Sequence, residues 1–332
     1  MAPDTPRRAL VTGATGYIGS RLLPELLAAG WDVRILTRSA AKVADRAWRE
    51  RVEVVEGDAT ERADLDRACA GVDVAYYLLH SMDGAGSFAE RDRDLAATFG
   101  LAARAAGVGR IVYLSGLHPD HEELSEHLAS RVEVGEILLD SGVPTAVLQA
   151  AVIVGSGSAS FEMLRYLTHR LPAMIAPKWL DNRIQPIAIR DVLRLLVAAA
   201  DLPPEVNRTF DLGGPDVLTY REMIARFARI SGLRDRIVVT VPVLTPWLAS
   251  HWVGLVTPVP SGIAKPLVGS LLHEVVRRET DLDELFPEIA ASLMGYDDSV
   301  RAAIAAPADT RPEPGTADPA LLNAADPAWA GG

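Results

Sequence analysis

The sequence has a single cysteine, Cys69, in 332 residues. No intramolecular disulfide can form, and a zinc site built on cysteines is excluded. Basic charge is short as well. Lys+Arg is 33 against 44 for Asp+Glu, a formal net charge of −11. Nucleic-acid binding and polybasic membrane anchoring both set Lys and Arg against phosphate, so neither is expected. No apolar run approaches the ~18 residues of a membrane-spanning helix, so no transmembrane segment is expected. Met1 to Arg8 is polar, with no apolar signal core behind it, and the expectation is a reduced cytoplasmic protein. What is present is a globular composition, 49% hydrophobic and 23% charged, with length enough for one large domain or two ordinary ones.

Short apolar runs alternate with helical periodicity through the first half. Arg8–Thr12, Trp31–Thr37, Val52–Glu56, Val72–Leu79, Gly109–Leu114 and Pro144–Ala150 read as strands. Tyr17–Ala29, Ala40–Ala47, Ala63–Ala70, Ser87–Ala106 and Leu124–Asp140 read as the helices between them. This alternation predicts an α/β doubly wound parallel sheet of at least six strands over residues 8–155. Residues 156–305 are less regular and predict a smaller α+β substrate lobe interleaved with the sheet. Within it, Ser160–His169 reads as a helix, Arg183–Ile189 and Arg208–Leu212 as strands, and Asp191 as the N-cap of the helix Val192–Ala200. Thr219 with Glu222 reads as a capping box opening the helix Thr219–Ser231. Prolines break the apolar stretch Val239–Leu272 into short pieces. Residues 306–332 are rich in Pro, Ala, Asp and Gly and read as a flexible tail.

The strongest motif is Thr12-Gly13-Ala14-Thr15-Gly16-Tyr17-Ile18-Gly19, between a predicted strand and a predicted helix. In that context Gly13 permits the tight turn, Gly16 lets the backbone approach a diphosphate, and Gly19 permits close helix–strand packing. The helix N-terminus offers free N–H groups to the phosphates. Thr15, Tyr17 and Ile18 complete the loop.

The spacing Gly-x-x-Gly-x-x-Gly resembles that of the short-chain dehydrogenase/reductase superfamily, in its extended and atypical branches, which implies a Rossmann-type sheet and an NAD(P) cofactor. Gly57-Asp58-Ala59-Thr60 resembles the family's Gly-Asp turn, which implies that Asp58 faces the adenine with Ala59 beside it. Pro186–Val192 and Phe210–Pro215 match later signatures of that branch. The stretches His127–Arg131 and Gly155–Met163 resemble bacterial NAD(P)H-binding proteins similar to a nucleotide-binding accessory subunit of respiratory NADH–ubiquinone oxidoreductase.

The end of the second strand has no carboxylate. NAD enzymes place Asp or Glu there to hold the ribose hydroxyls. Here it reads Thr37-Arg38-Ser39, with Lys42 nearby, and Asp32 stands at the opposite end. A guanidinium pairs well with a 2′-phosphate, so NADP(H) is expected in preference to NAD(H).

The family's Tyr-x-x-x-Lys is missing too. Aligned on Ser130 and Glu136, His127 stands at the Tyr position and Arg131 at the Lys position. His127 is a candidate acid or base, against a bland reading as a helix-surface residue, and Arg131 a candidate cofactor clamp. The resemblance puts the family's carbonyl-polarising hydroxyl a residue or two beyond Ser115, at Gly116 or Leu117, so Ser115 either substitutes for it or simply ends the strand. Tyr77 and Leu79 stand at the end of the fourth strand and His80 and Ser81 follow it, where ligands of open sheets bind, and His80 is a second proton-donor candidate. His118-Pro119-Asp120-His121-Glu122-Glu123 reads as a solvated acidic loop, with no metal expected. Two functions compete. One is an oxidoreductase passing hydride between NADPH and a small apolar carbonyl, enone or quinone. The other is a non-catalytic NADP(H)-binding redox sensor or assembly protein with a protein partner. Epimerase or dehydratase chemistry is weaker, since it too uses the missing Tyr and Lys.

Overall fold

The computed structural model describes residues 6–80, 88–119, 124–241, 256–270, 272–305, 318–323 and 326–331. Seven parallel strands form the central sheet: β1 (Arg8–Thr12), β2 (Asp32–Thr37), β3 (Val52–Glu56), β4 (Val74–Tyr77), β5 (Arg110–Gly116), β6 (Thr145–Ala150) and, from the second half of the chain, Arg208–Leu212. Their spatial order is β3, β2, β1, β4, β5, β6 and Arg208–Leu212. The order reverses between β1 and β4, where the crevice beyond the strand ends forms the usual ligand site of such sheets.

The central strands are mostly apolar because helices cover both faces, whereas the edge strand β3 carries Glu53 and Glu56. Successive strand residues point to opposite sides. Ala9 and Val11 therefore join one core with Leu22, Leu23 and Leu26 of α1 (Tyr17–Ala28) and Val192 and Leu196 of a later helix. Leu10 faces the other core, with Leu65 of α2 (Arg62–Cys69), Phe99 of α3 (Phe88–Ala105) and Leu138 of α4 (Glu126–Leu139). Cys69 is fully buried there, and burial pushes its thiol up to about 11, so it is inert.

The second lobe packs Phe161 and Leu164 of α5 (Ala159–Arg170) against Phe227, Tyr296 and Val300. It has three two-stranded ladders, Ile153–Val154 with Ile187–Ala188, Arg183–Ile184 with Leu218–Thr219, and Ala173–Pro177 with Ile237–Val241. The run Arg183–Ile189 is thus two strands with different partners. Pro186 divides them, since it has no N–H to continue a ladder. Thr219 and Glu222 form the capping box read from the sequence. Asp191 is not an N-cap. Its helix, α6 (Ile189–Ala198), starts earlier on Ala188, and the Asp191 carboxylate accepts the Met294 N–H at 2.7 Å. Ala40–Ala47 forms only a short 3-10 turn, Ala40–Val43.

The largest departure from the sequence reading concerns 306–332. Residues 318–323 and 326–331 are packed onto the fold rather than free as a tail. Asp326 and Arg21 of α1 form a buried ion pair at 2.7 Å, with side chains 3% and 2% exposed. Composition misled because this segment is held by polar contacts, not by an apolar stripe. No helix among the described residues is long and apolar enough to cross a membrane.

Candidate functional site

The site begins where β1 and β4 part. Thr12 Oγ1 donates to the Tyr76 carbonyl at 2.9 Å and accepts the Leu78 N–H at 3.2 Å, fixing the two strand ends. Gly13 has φ +72, and a Cβ there would lie 2.4 Å from the Leu78 oxygen. The Gly16 N–H donates to the Gly13 carbonyl at 2.9 Å. A Cβ on Gly19 would lie 2.2 Å from that same carbonyl. α1 then opens on Gly16 with no side-chain cap and no acidic residue in its first turn, so its leading N–H groups and positive dipole end face the crevice. This cradle fits a diphosphate and would be filled by any side chain larger than glycine's.

Two cavities meet at this loop, both lined by Gly13, Thr15, Leu79 and His80. The first, about 530 Å³, spreads over the ends of β2 and β3 and is lined by Arg38, Lys42, Asp58 and Ala59. Arg38 is exposed and has no hydrogen bond or ion pair among the described residues. Asp32 lies at the other end of β2, paired with Arg8. Asp58 accepts the Thr60 N–H at 3.0 Å, shaping its turn. The cavity walls thus carry an uncommitted cation where an NAD site carries a carboxylate.

The second cavity, about 520 Å³, lies over β4, β5 and β6 and reaches under the second lobe. It gathers Gly16, Tyr17, Ile18, Gly19, Ser115, His127 and Arg131. The His80 and His127 rings meet edge to face with centroids 4.8 Å apart. His80 Nδ1 lies 3.5 Å from Asp92 of α3, and His80 Nε2 is buried without a hydrogen-bond partner. Burial, and then the Arg131 cation, lower His127 to about 3. The same two causes lower His80 to about 4, against the pull of Asp92. Both imidazoles are therefore neutral at pH 7 and cannot act as imidazolium acids. Arg131 spends one N–H on the Leu114 carbonyl at 3.2 Å. Ser115 Oγ donates to the Arg131 carbonyl at 3.3 Å, so its proton is directed to α4 and not to the chamber.

Beyond the histidines and Arg131 the chamber is mostly apolar, with Ser158, Ser160 and Asp326 as further polar residues of its lining. Ile263 and Leu267 of the helix Ser261–Ser270, together with Tyr220, Ile184 and Val275, line it, as do Pro327 and Trp329 of the C-terminal segment. At the start of α5, Ser158 occupies the N-cap position but makes no capping bond. Glu162 accepts the Gly157 N–H at 3.0 Å instead. His118 contacts Gln149 at 3.2 Å; Asp120 to Glu123 and Ser81 lie outside the described residues. Among the described residues no group of His, Cys, Asp and Glu could hold a metal. Asp92, Arg21, Asp326 and Trp329 were not singled out from the sequence. They enter the site only by tertiary contact, and no local pattern announces them.

A family model described as NAD(P)H-binding matches residues 13–151. The chain is 30% identical over 224 residues to (4-alkanoyl-5-oxo-2,5-dihydrofuran-3-yl)methyl phosphate reductase of Streptomyces griseus, covering 67% of this chain and 73% of that one. It is 29% identical over 252 residues to ceramide reductase of Caulobacter vibrioides, covering 72% and 75%. Its fold is similar to that of an NADPH-dependent quinone oxidoreductase from Escherichia coli complexed with NADPH. There the TM-score is 0.68 at 22% identity, covering 88% of this chain and 98% of that one. Loop, switch point and relatives agree: the chain belongs to the atypical, NAD(P)H-binding branch of the short-chain dehydrogenase/reductase superfamily.

Proposed function

We propose that the protein, an oxidoreductase of this superfamily, takes NADPH in preference to NADH and reduces a small apolar carbonyl, enone or quinone. The observation that carries this reading is the apolar chamber continuous with the phosphate loop and holding two neutral imidazoles. The reductase relatives support the same class of chemistry. The bound dinucleotide would supply hydride. Loop amides of residues 13–19 hold its diphosphate, and Arg38, with Lys42, pairs with a 2′-phosphate. Leu79, Asp58 and Ala59 bound the path of the dinucleotide between the two cavities.

His127 and Arg131 then act on the acceptor and the ribose. Neutral His127 serves as a hydrogen-bond donor that orients a carbonyl oxygen, not as a proton source. Arg131 keeps further N–H groups beyond the one given to Leu114 and holds polar oxygens beside the nicotinamide. Ser115 keeps α4 against β5. With its imidazoles neutral and the Tyr17 and Tyr220 hydroxyls made weaker acids by burial, the chamber favours acceptors whose reduced anion is delocalised, as in quinones and enones, because solvent can protonate these later. A saturated ketone, whose alkoxide needs a proton at once, is disfavoured.

NADPH oxidation against quinones, enones and saturated ketones tests this. Turnover of the first two and not the third is expected, with activity retained in His127→Phe at raised KM. Loss of all turnover in His127→Phe, with NADPH binding intact, would return His127 to an acid role. Because the Tyr and Lys are absent, a sensor remains the competing function. Tight NADPH binding with no turnover of any acceptor, together with a co-purifying protein, would favour it.

A further inference from the structure

Residues 318–323 and 326–331 lie between the phosphate-loop helix and the chamber, held by a set of specific polar contacts. Arg21, two residues beyond Gly19, presents its guanidinium to Asp326 as a fork, with both Nη atoms 2.7 Å from a carboxylate oxygen. The remaining N–H groups of Arg21 donate to the carbonyls of Pro319 at 2.8 Å, Leu321 at 3.1 Å and Ser156 at 2.9 Å. The face of the guanidinium lies 4.1 Å from the Tyr17 ring centroid. The Ser156 N–H donates to the Ala320 carbonyl at 2.9 Å. Farther along, Tyr166 Oη donates to the Trp329 carbonyl at 2.7 Å, and the Gly331 N–H to Glu162 at 3.2 Å.

Those bonds fix the Trp329 main chain on α5 and turn its indole toward the chamber. The indole packs against the buried cluster of Met163, Val259, Ala264 and Val268, as Ile263 and Leu267 also do. It lines the same cavity as the phosphate loop and the two histidines. We infer that Trp329 is the specificity-determining wall of the substrate chamber, limiting the length of the apolar group that enters beside Ile263 and Leu267. The buried Arg21–Asp326 pair keeps that wall in register with the cofactor loop. This inference rests on the reductase reading for the chemical class of the ligand, an acceptor carrying an alkyl group.

The test is affinity of the NADP⁺ complex for 2-alkyl-1,4-naphthoquinones of increasing chain length, in which no hydride can be transferred. In the wild type, affinity stops rising once the chain meets the indole. In Trp329→Ala it continues to rise, by about fourfold for each further methylene buried. Trp329→Phe shifts the break by less. Identical chain-length profiles in all three proteins would overturn the inference.

A second measurement does not depend on the substrate class. Cys69 is fully buried, so Trp329→Cys places a single reachable thiol on the chamber wall. In the NADP⁺ complex, a saturating linear alkyl alcohol should slow its labelling by hexyl methanethiosulfonate by ~5-fold or more, since alcohol chain and reagent compete for one apolar chamber. An unchanged labelling rate in a folded, NADP⁺-binding variant overturns the wall. Slowed labelling with no naphthoquinone bound by any variant keeps the wall and rejects the quinone as ligand.

Discussion

The two cavities that meet at Gly13 are built by different means. The one over β2 and β3 is made from backbone and from turns close in sequence, and Arg38 stands exposed on its wall. The one over β4, β5 and β6 is closed by helices and segments from both ends of the chain. Its imidazoles are neutral, Ser115 and one N–H of Arg131 are hydrogen-bonded, and the Tyr17 hydroxyl is buried with no hydrogen-bond partner among the described residues. The contrast separates two tasks. Holding a dinucleotide needs N–H groups and a cation in fixed places, which a strand, a turn and a helix supply locally. Shaping an apolar chamber needs walls, which come from wherever packing can provide them.

Four changes would sharpen or break that contrast. The largest effect is expected from Asp326→Ala, on the chamber side. It strands a buried guanidinium, and removing one partner of such a pair costs about 3–5 kcal/mol. Urea unfolding measures it. Asp326→Ala combined with Arg21→Met should recover most of the loss, and a fully stable single variant would mean that the segment is not held as described. Next is Gly19→Val, on the loop side. Its side chain would collide with the Gly13 carbonyl and weaken NADPH binding by ~100-fold, about 2.7 kcal/mol, in a titration. Arg38→Ala comes third. NADPH affinity should fall ~10-fold, as for one exposed charge-assisted contact, while NADH affinity holds. Equal losses for both would remove the 2′-phosphate assignment.

The smallest effect is on pH dependence. His80 and His127 are lowered in the folded protein from an ordinary value of 6.5 to about 4 and about 3. Below pH 6.5 the unfolded chain takes up protons that the folded one refuses, so stability should decline as pH falls toward about 4. Above pH 6.5 these groups contribute no slope. Replacing either histidine by Asn should flatten the decline in melting temperature between pH 6.5 and 5. An unchanged slope would mean that the imidazoles are solvated.

The sheet was readable because strands covered on both faces are continuous apolar runs, and each run ends in a glycine or polar turn. The phosphate loop was readable because all its parts lie within Thr12–Gly19. His127, Arg131 and Ser115 were placed by family spacing, and the structure does bring them to one chamber with His80. Their chemistry was readable only in part. The depression of His127 comes first from burial, which no local pattern encodes, and then from the Arg131 cation one turn along α4, which the spacing does show. Asp92 was missed because it sits mid-helix among charged residues, where a solvated face is the ordinary reading. The segment 318–331 was misread because prolines and alanines look unstructured when their carbonyls have no visible donor. That donor, Arg21, sits at the far end of the sequence.

The fork between Arg21 and Asp326 joins residues 305 positions apart. During synthesis the phosphate-loop helix emerges early, and its guanidinium must wait, solvated, while nearly the whole sheet and lobe assemble. Contacts of such long range slow folding, and at ~5–20 residues per second the wait lasts about 15–60 s. The phosphate loop is therefore synthesised well before the segment that closes the other cavity.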